Sequence, residues 1–252
     1  MDTQQHKSFK VLLIGDSCLD VFIYGHVKRI NPEAPVPILD YTRTETKEGM
    51  VLNVLNNLKA FDVEVDIITK YGNSIKTRYI DEKSNQQILR LDEDKVSEPL
   101  EYKVYSGYDA IIISDYNKGL VTEEFLFSIT QSPDCPIFID SKKTNLPSTN
   151  CFIKINDTEY DKLISNNTNV IITRGGSGAE FNNVLYPAEK VKVYDVVGAG
   201  DTFLAALTYG YLKFGSIEKA IPFANKASAI AVSHPGTYAL TRKDVKNLCD
   251  RY

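Results

Sequence analysis

Gly198, Ala199, Gly200 and Asp201, within VYDVVGAGDTFLAAL, place two glycines and a carboxylate directly before an apolar helical run. Glycines at a helix N-terminus leave backbone N–H groups free, and the helix dipole adds positive potential there. Together these make an anion site out of backbone. Gly198 and Gly200 let an anion approach the chain closely. Asp201 would repel that anion unless it has another task, and beside a phosphate a carboxylate accepts the proton of an attacking hydroxyl. A glycine turn with Asp as a helix-start residue is satisfied by the same letters, so the motif alone leaves both readings open. Two other nucleotide loops are excluded. The Walker pattern G-x-x-x-x-G-K-[ST] is absent, and the dinucleotide fingerprint needs a third glycine where Phe203 stands.

The runs FKVLLIGD, VEVDIIT, YDAIIISD, PIFID, CFIKI and NVIITRG are continuously apolar and rich in β-branched residues, as expected of strands covered on both faces. Helical patterns separate several of them. In EGMVLNVLNNLKAF, Val51, Val54, Leu55 and Leu58 fall on one helical face. TEEFLFSITQ follows a Thr122 cap, and TRKDVKNLCD opens with Thr241 and Asp244 in a capping-box spacing. Strands alternating with helices predict a mostly parallel sheet in a layered α/β domain. Two segments break the rhythm. Residues 21–47 include RINPEAPVPILDY, stiffened by Pro32, Pro35 and Pro37, and residues 77–92 read as a hairpin around the turn EKSN. They predict a small sheet outside the main one, a lid of the kind that keeps water from transfer chemistry.

With 252 residues, 43% hydrophobic and 25% charged, the chain has the composition of one globular domain, 1–252, and shows no linker or repeat. A net charge of −4 gives no ground for a nucleic-acid partner. No segment approaches the roughly 18 uncharged apolar residues of a membrane helix, so no membrane partner is expected. Cys18, Cys135, Cys151 and Cys249 lack metal-ligand spacing and read as small buried hydrophobes in a reducing, cytoplasmic setting.

YDVVGAGDTF resembles the signature of the ribokinase-like carbohydrate kinases, the PfkB family. RINPEAPVPIL, NQQILRLD, ISDYNKG and FANKASAIAVSHPGT resemble stretches of the heptose 7-phosphate kinases within it, and the resemblance runs from about Val11 to Thr237. It implies a three-layer sandwich with a β-sheet lid, ATP and Mg2+ as cofactors, a sugar phosphate as acceptor and a homodimer formed through the lid. Asp201 would be the base, with the amides of Gly198, Ala199 and Gly200 stabilising the transferring phosphoryl group. Asn156, Asp157, Thr158 and Glu159 match the N-x-x-E segment that places nucleotide phosphates and magnesium through water, without a direct protein ligand to the metal. Thr173, Arg174, Gly176 and Gly178 match the segment bordering the nucleotide, and Asn225 an asparagine near the adenine. Asp16 and Asp20 stand where such enzymes bind sugar hydroxyls, beyond the first strand; capping a turn is their structural alternative. Lys118 and Lys142 lie just past strand ends. With Arg90 they are candidates for the sugar phosphate, although lysines are mostly solvated.

The sequence departs from that pattern in three ways. The family has two adjacent glycines and then an asparagine after the first lid strands; here Gly49 is followed by Met50, with Asn53 retained. This puts a side chain near the expected sugar site. Between VDIITKYGN and SIKTRYID the relatives carry a further helix and strand, so one α/β unit is expected to be trimmed. Nothing after Tyr252 would form a nucleotidyltransferase domain, so a separate protein is expected to act downstream. The expected activity is ATP-dependent phosphorylation of the anomeric hydroxyl of D-glycero-D-manno-heptose 7-phosphate. The alternatives are a PfkB-family kinase for another sugar, and a non-catalytic nucleotide or sugar-phosphate binding protein.

Overall fold

The computed structural model describes residues 8–164 and 166–252. The main sheet has eight strands in the order β12-β11-β10-β9-β8-β7-β1-β4. β1 (Lys10–Gly15) pairs in parallel with β4 (Glu64–Ile68) on one side and β7 (Ala110–Asp115) on the other. β8 (Ile137–Ser141), β9 (Phe152–Asn156) and β10 (Val170–Thr173) continue the parallel run. β11 (Ala179–Phe181) and β12 (Val184–Tyr186) close it antiparallel. Every residue of β7 and β8 is buried, which is why those runs are continuously apolar rather than alternating.

Two apolar layers account for the burial. On one face α1 (Val51–Ala60), α4 (Ala199–Phe214) and α5 (Ile217–Val232) pack over Val11, Leu13 and Ile112, with Val245 and Leu248 of α6 (Arg242–Cys249) joining them. On the other, α2 (Glu123–Ile129) covers Leu12, Ile14, Ile111 and Ile113 through Phe125 and Leu126. Val51, Val54 and Leu58 are fully buried, so the helical face read in the sequence is the packed face. Each such side chain contributes about 1.5–3 kcal/mol of burial. Thr122 caps α2, and Thr241 with Asp244 forms the capping box of α6.

β2 (Ser17–Ile30), β3 (Pro37–Met50), β5 (Ser74–Asp81) and β6 (Gln86–Asp94) form the separate four-stranded sheet, order β3-β2-β5-β6. The lid strands start earlier than the turn and proline signals place them. β2 begins two residues after β1, and β3 runs straight into α1. β4 ends at Ile68 and the lid resumes at Ser74, so no helix separates the two sheets there. Chain order places β4 and β7 on opposite sides of β1. The C-terminal ends of β1 and β7 therefore flank the switch point at which ligands bind in such sheets.

Candidate active site

Gly198 is the N-cap of α4, in the left-handed region at φ 81°, and no side chain caps the helix among the described residues. A Cβ on Gly198 would come within 2.6 Å of Asn53 Nδ2, and one on Gly200 within 2.9 Å of Lys154 Nζ. Gly198 is held to glycine by its positive φ, whereas at Gly200 the nearest neighbour is the flexible end of Lys154. Ala199 donates its amide to the Val196 carbonyl at 3.2 Å.

Asp201 lies in the first turn of α4 and is 4% exposed. Its Oδ2 accepts from Asn53 Nδ2 at 3.0 Å and its Oδ1 from the Tyr116 hydroxyl at 2.8 Å. Burial pushes its carboxyl up to about 6; the bonds from Asn53 and Tyr116 pull it down, Asp140 raises it and Lys154 lowers it. A carboxylate poised near 6 is largely ionised at neutral pH yet has useful proton affinity, as a general base requires. Asn53 is positioned from below. Asn57 Nδ2 donates to the Asn53 carbonyl at 2.8 Å, and Leu240 N donates to Asn57 Oδ1 at 3.0 Å.

Asp16 is buried just past β1, where its Oδ2 accepts the backbone amides of Tyr116 and Lys118 at 2.9 and 3.1 Å. Its Oδ1 is buried without a partner. Burial raises its pKa. An orphaned carboxylate oxygen is an acceptor available to a hydroxyl-bearing ligand. Asp20 is ion-paired with Arg78, and a Cβ on Gly49 would meet Asp20 Oδ2 at 2.5 Å, so Gly49 makes room for that carboxylate. Register places Arg90 of β6 opposite Arg78, on the same lid face, although Arg90 is exposed and pairs with Asp92 at 2.8 Å. Lys47 and Lys76 are the register partners of Asp20 on that face. Lys118 reaches Asp94 of β6 at 2.5 Å, joining the turn after β7 to the lid.

Lys154 of β9 forms a buried ion pair with Asp140 of β8 at 2.6 Å, which brings an ammonium to the Gly200 side of the helix N-terminus. Asn156 and Glu159 make a reciprocal capping box that opens a single helical turn, α3 (Asp157–Tyr160). Glu159 is ion-paired with Lys142, whose ammonium lies 5.5 Å from the centre of the Tyr116 ring. Burial alone would lower the Lys142 pKa, but Asp140, Glu159 and Asp201 raise it on balance. Asp157 is exposed and pairs with Arg174, which also reaches Glu180 at 2.9 Å; Thr158 is exposed. Thr173 Oγ1 donates to the Ile155 carbonyl at 3.2 Å. Gly178, at φ 108°, has no space for a side chain against the backbone of Tyr186–Ala188, whereas Gly176 is open. Asn225 holds the loop after β12 by donating to the Tyr186 carbonyl at 2.8 Å. The loop 187–198 exposes Val191, Val193, Tyr194, Val196 and Val197. A cavity of about 220 Å³ lies between Glu189, Val191, Lys226 and Ala229 and the last helix.

The fold therefore gathers Asp16, Asn53, Lys142 and Asp201 around one point and keeps Asp157, Thr158 and Arg90 on the periphery. Four contributors escape a reading of the sequence alone. Tyr116 is hidden among strand-end polar residues, and Arg78 needs the lid register to meet Asp20. Asp140 had no distinguishing context. Lys154 alone carried a signal, a cation inside the apolar run CFIKI, because buried lysines occur only when paired.

Residues 154–244 match the pfkB family of carbohydrate kinases. The chain is 30% identical to the bifunctional protein HldE of Nitratiruptor sp. over 296 aligned positions, covering 94% of this chain and 64% of that protein. Those 296 positions exceed the 252 residues available, so the relative carries segments that this chain lacks. The ribokinase of Thermotoga maritima superposes with a TM-score of 0.67 at 14% identity, covering 96% of this chain and 99% of that one. The ribokinase of Arabidopsis thaliana, complexed with ribose and ATP, gives 0.68 at 14% identity over 96% and 98%. The architecture is thus ribokinase-like.

Proposed function

We propose that this chain, whose residues 154–244 match the pfkB family of carbohydrate kinases, phosphorylates the anomeric 1-hydroxyl of D-glycero-D-manno-heptose 7-phosphate with ATP. The observation that carries the reading is Asp201, a buried carboxylate held by two donors at a glycine-lined helix N-terminus with a lysine ammonium beside it. Asp201 takes the proton of the acceptor hydroxyl while the first-turn amides and Lys154 offset charge on the phosphoryl group. The orphaned Asp16 Oδ1 accepts from a sugar hydroxyl. Arg78, Arg90 and Lys76 on the lid face supply cations for the sugar's own phosphate. The exposed apolar side chains of the loop 187–198 offer a surface on which the nucleotide base would lie.

Magnesium fits this site as an ion carried by the nucleotide. Glu159, held at the start of α3 by its capping bond with Asn156 and by its ion pair with Lys142, is the carboxylate that would hold such an ion through water. Mg2+ bound that way keeps most of its waters and neutralises phosphate oxygens. We assign the reaction to the cytoplasm, the compartment that supplies ATP and sugar phosphates. The outer lid face, with exposed Leu89 and Leu91, suits pairing with a second copy, for which sedimentation is the test.

The deciding experiment measures ATP consumption with magnesium on heptose 7-phosphate, fructose 6-phosphate, ribose, fructose and no sugar, each repeated with Asp201→Asn. Turnover confined to heptose 7-phosphate and abolished in the variant supports the full reading. Turnover on another sugar keeps the kinase and moves the acceptor, a reading that Met50 at the sugar side would favour. ATP binding without any turnover makes the protein a binder and rejects the proposal.

A further inference from the structure

Asp201 has a rigid partner on only one side if Asn53 acts alone. The carboxylate torsion of an aspartate is broad and roughly two-fold, so one donor leaves the plane free to rock. The second donor is Tyr116, in the turn directly after β7. Its phenol bonds Asp201 Oδ1 at 2.8 Å while its own backbone N–H bonds Asp16 Oδ2 at 2.9 Å. One residue thus touches the carboxylate on the sugar side and the carboxylate at the helix N-terminus. The Lys142 ammonium lies over its ring, and the Asn117 side chain that follows is tied to Lys143 at 3.0 Å, which holds the turn.

We propose that Tyr116 is a positioning residue for proton transfer, fixing the carboxylate plane of Asp201 and tying it to Asp16 so that a hydroxyl held at Asp16 meets Asp201 in line. The inference rests on the kinase reading above. In the step itself the acceptor O–H bond breaks and its proton passes to Asp201. The acceptor oxygen bonds the γ-phosphorus, and the bond from that phosphorus to the leaving nucleoside diphosphate breaks. Tyr116 keeps its own proton, because burial and the neighbouring Asp201 hold its pKa well above the ordinary tyrosine range. Each carboxylate oxygen has two acceptor directions, so the bonds from Asn53 and Tyr116 still leave a site for the incoming proton.

The charged and titratable groups facing Asp201 are Tyr116 after β7, Asp140 of β8 and Lys154 of β9, with Lys142 and Cys18 beyond them. Among these Tyr116 donates directly, and removing only its hydroxyl leaves the ring packing in place. The test is Tyr116→Phe in the full chain. It is read by steady-state kinetics across pH and by 13C NMR of aspartate-labelled protein, with Asp201→Asn assigning the signal. Loss of one bond to a charged group predicts a fall in kcat of roughly ten- to a hundredfold, with KM values little changed. The Asp201 midpoint, about 6 in the unchanged protein, should move upward in both readouts. An active parent whose Phe variant keeps both kcat and midpoint overturns the role of Tyr116. A fall in kcat with an unmoved midpoint overturns it too, since a packing defect would do the same. A parent inactive on every sugar rejects the kinase reading instead, and that failure is seen without the variant.

Discussion

Asn53 of α1 and Asp201 of α4, separated by 148 positions in the chain, are joined by a 3.0 Å hydrogen bond from the amide to Oδ2. The same amide also reaches the Gly198 carbonyl at 3.4 Å, so one side chain registers both the Asp201 carboxylate and the loop before it. Asn53→Ala should therefore lower kcat by about one to two orders of magnitude, the worth of a bond to a charged group. Asn53→Asp should act differently. A second carboxylate at this distance disfavours ionisation of Asp201, so activity should survive only when measured at higher pH. Overlapping pH–rate profiles of the parent and Asn53→Asp would contradict this geometry.

The burial of Asp201 fixes the sign of two pH effects. Its carboxyl is raised from 3.8 to about 6 in the folded chain. Activity that needs the ionised form should rise through pH 6 and level off above it. Stability runs the other way. A raised carboxyl contributes fully below its unfolded value, and the contribution is lost as pH rises through about 6. Asp201→Asn should accordingly be more stable than the parent at pH 8, by on the order of 2 kcal/mol, and lose that advantage near pH 4. Urea denaturation at the two pH values checks it, and equal differences at both would rule it out.

Lys154 and Asp140 are each less than a tenth exposed and pair at 2.6 Å. Truncating one member of such a pair leaves the other charge buried alone, at a cost of about 3–5 kcal/mol. Lys154→Met should be strongly destabilised, and adding Asp140→Asn should restore a good part of the loss. The pair also bears on chemistry. Lys154 lowers the Asp201 carboxyl and Asp140 raises it, so the double variant should shift the acid side of the pH–rate profile less than Lys154→Met does. Chemical denaturation with the two profiles separates the structural from the electrostatic effect.

The layers of this fold were legible because their physics is local. Buried parallel strands are written as continuous apolar runs, and the helical face of Val51, Val54 and Leu58 is written in its spacing. The glycine opening of α4 was legible for a similar reason, since a helix start without a side-chain cap favours glycine. Contacts made across the fold were not. The bond from Tyr116 to Asp201 spans 85 positions, and Arg78 meets Asp20 only once the lid register is set. Lys118, a candidate for the sugar phosphate by its place past a strand end, pairs with Asp94, a contact that depends on where β6 ends. The shortened link between β4 and β5 could be read only against relatives, because a missing unit leaves no residues to interpret.

Met50 closes β3 and opens α1 with φ 58° and ψ −130°, a region of backbone space that favours glycine, and it is 5% exposed. Two effects oppose each other there. The conformation costs about 1–3 kcal/mol, while burying the side chain returns about 1.5–3 kcal/mol. Met50→Gly should therefore leave stability close to the parent's, relieving strain as it gives up packing. Met50→Ala keeps the strain and loses most of the packing, so it should fall below Met50→Gly by about 1 kcal/mol despite its larger apolar surface. Met50→Val should be the least stable of the three, since a β-branched side chain fits a positive φ worst. The order of denaturation midpoints decides it. Alanine at or above glycine would mean that Met50 sits without strain and that packing alone retains it.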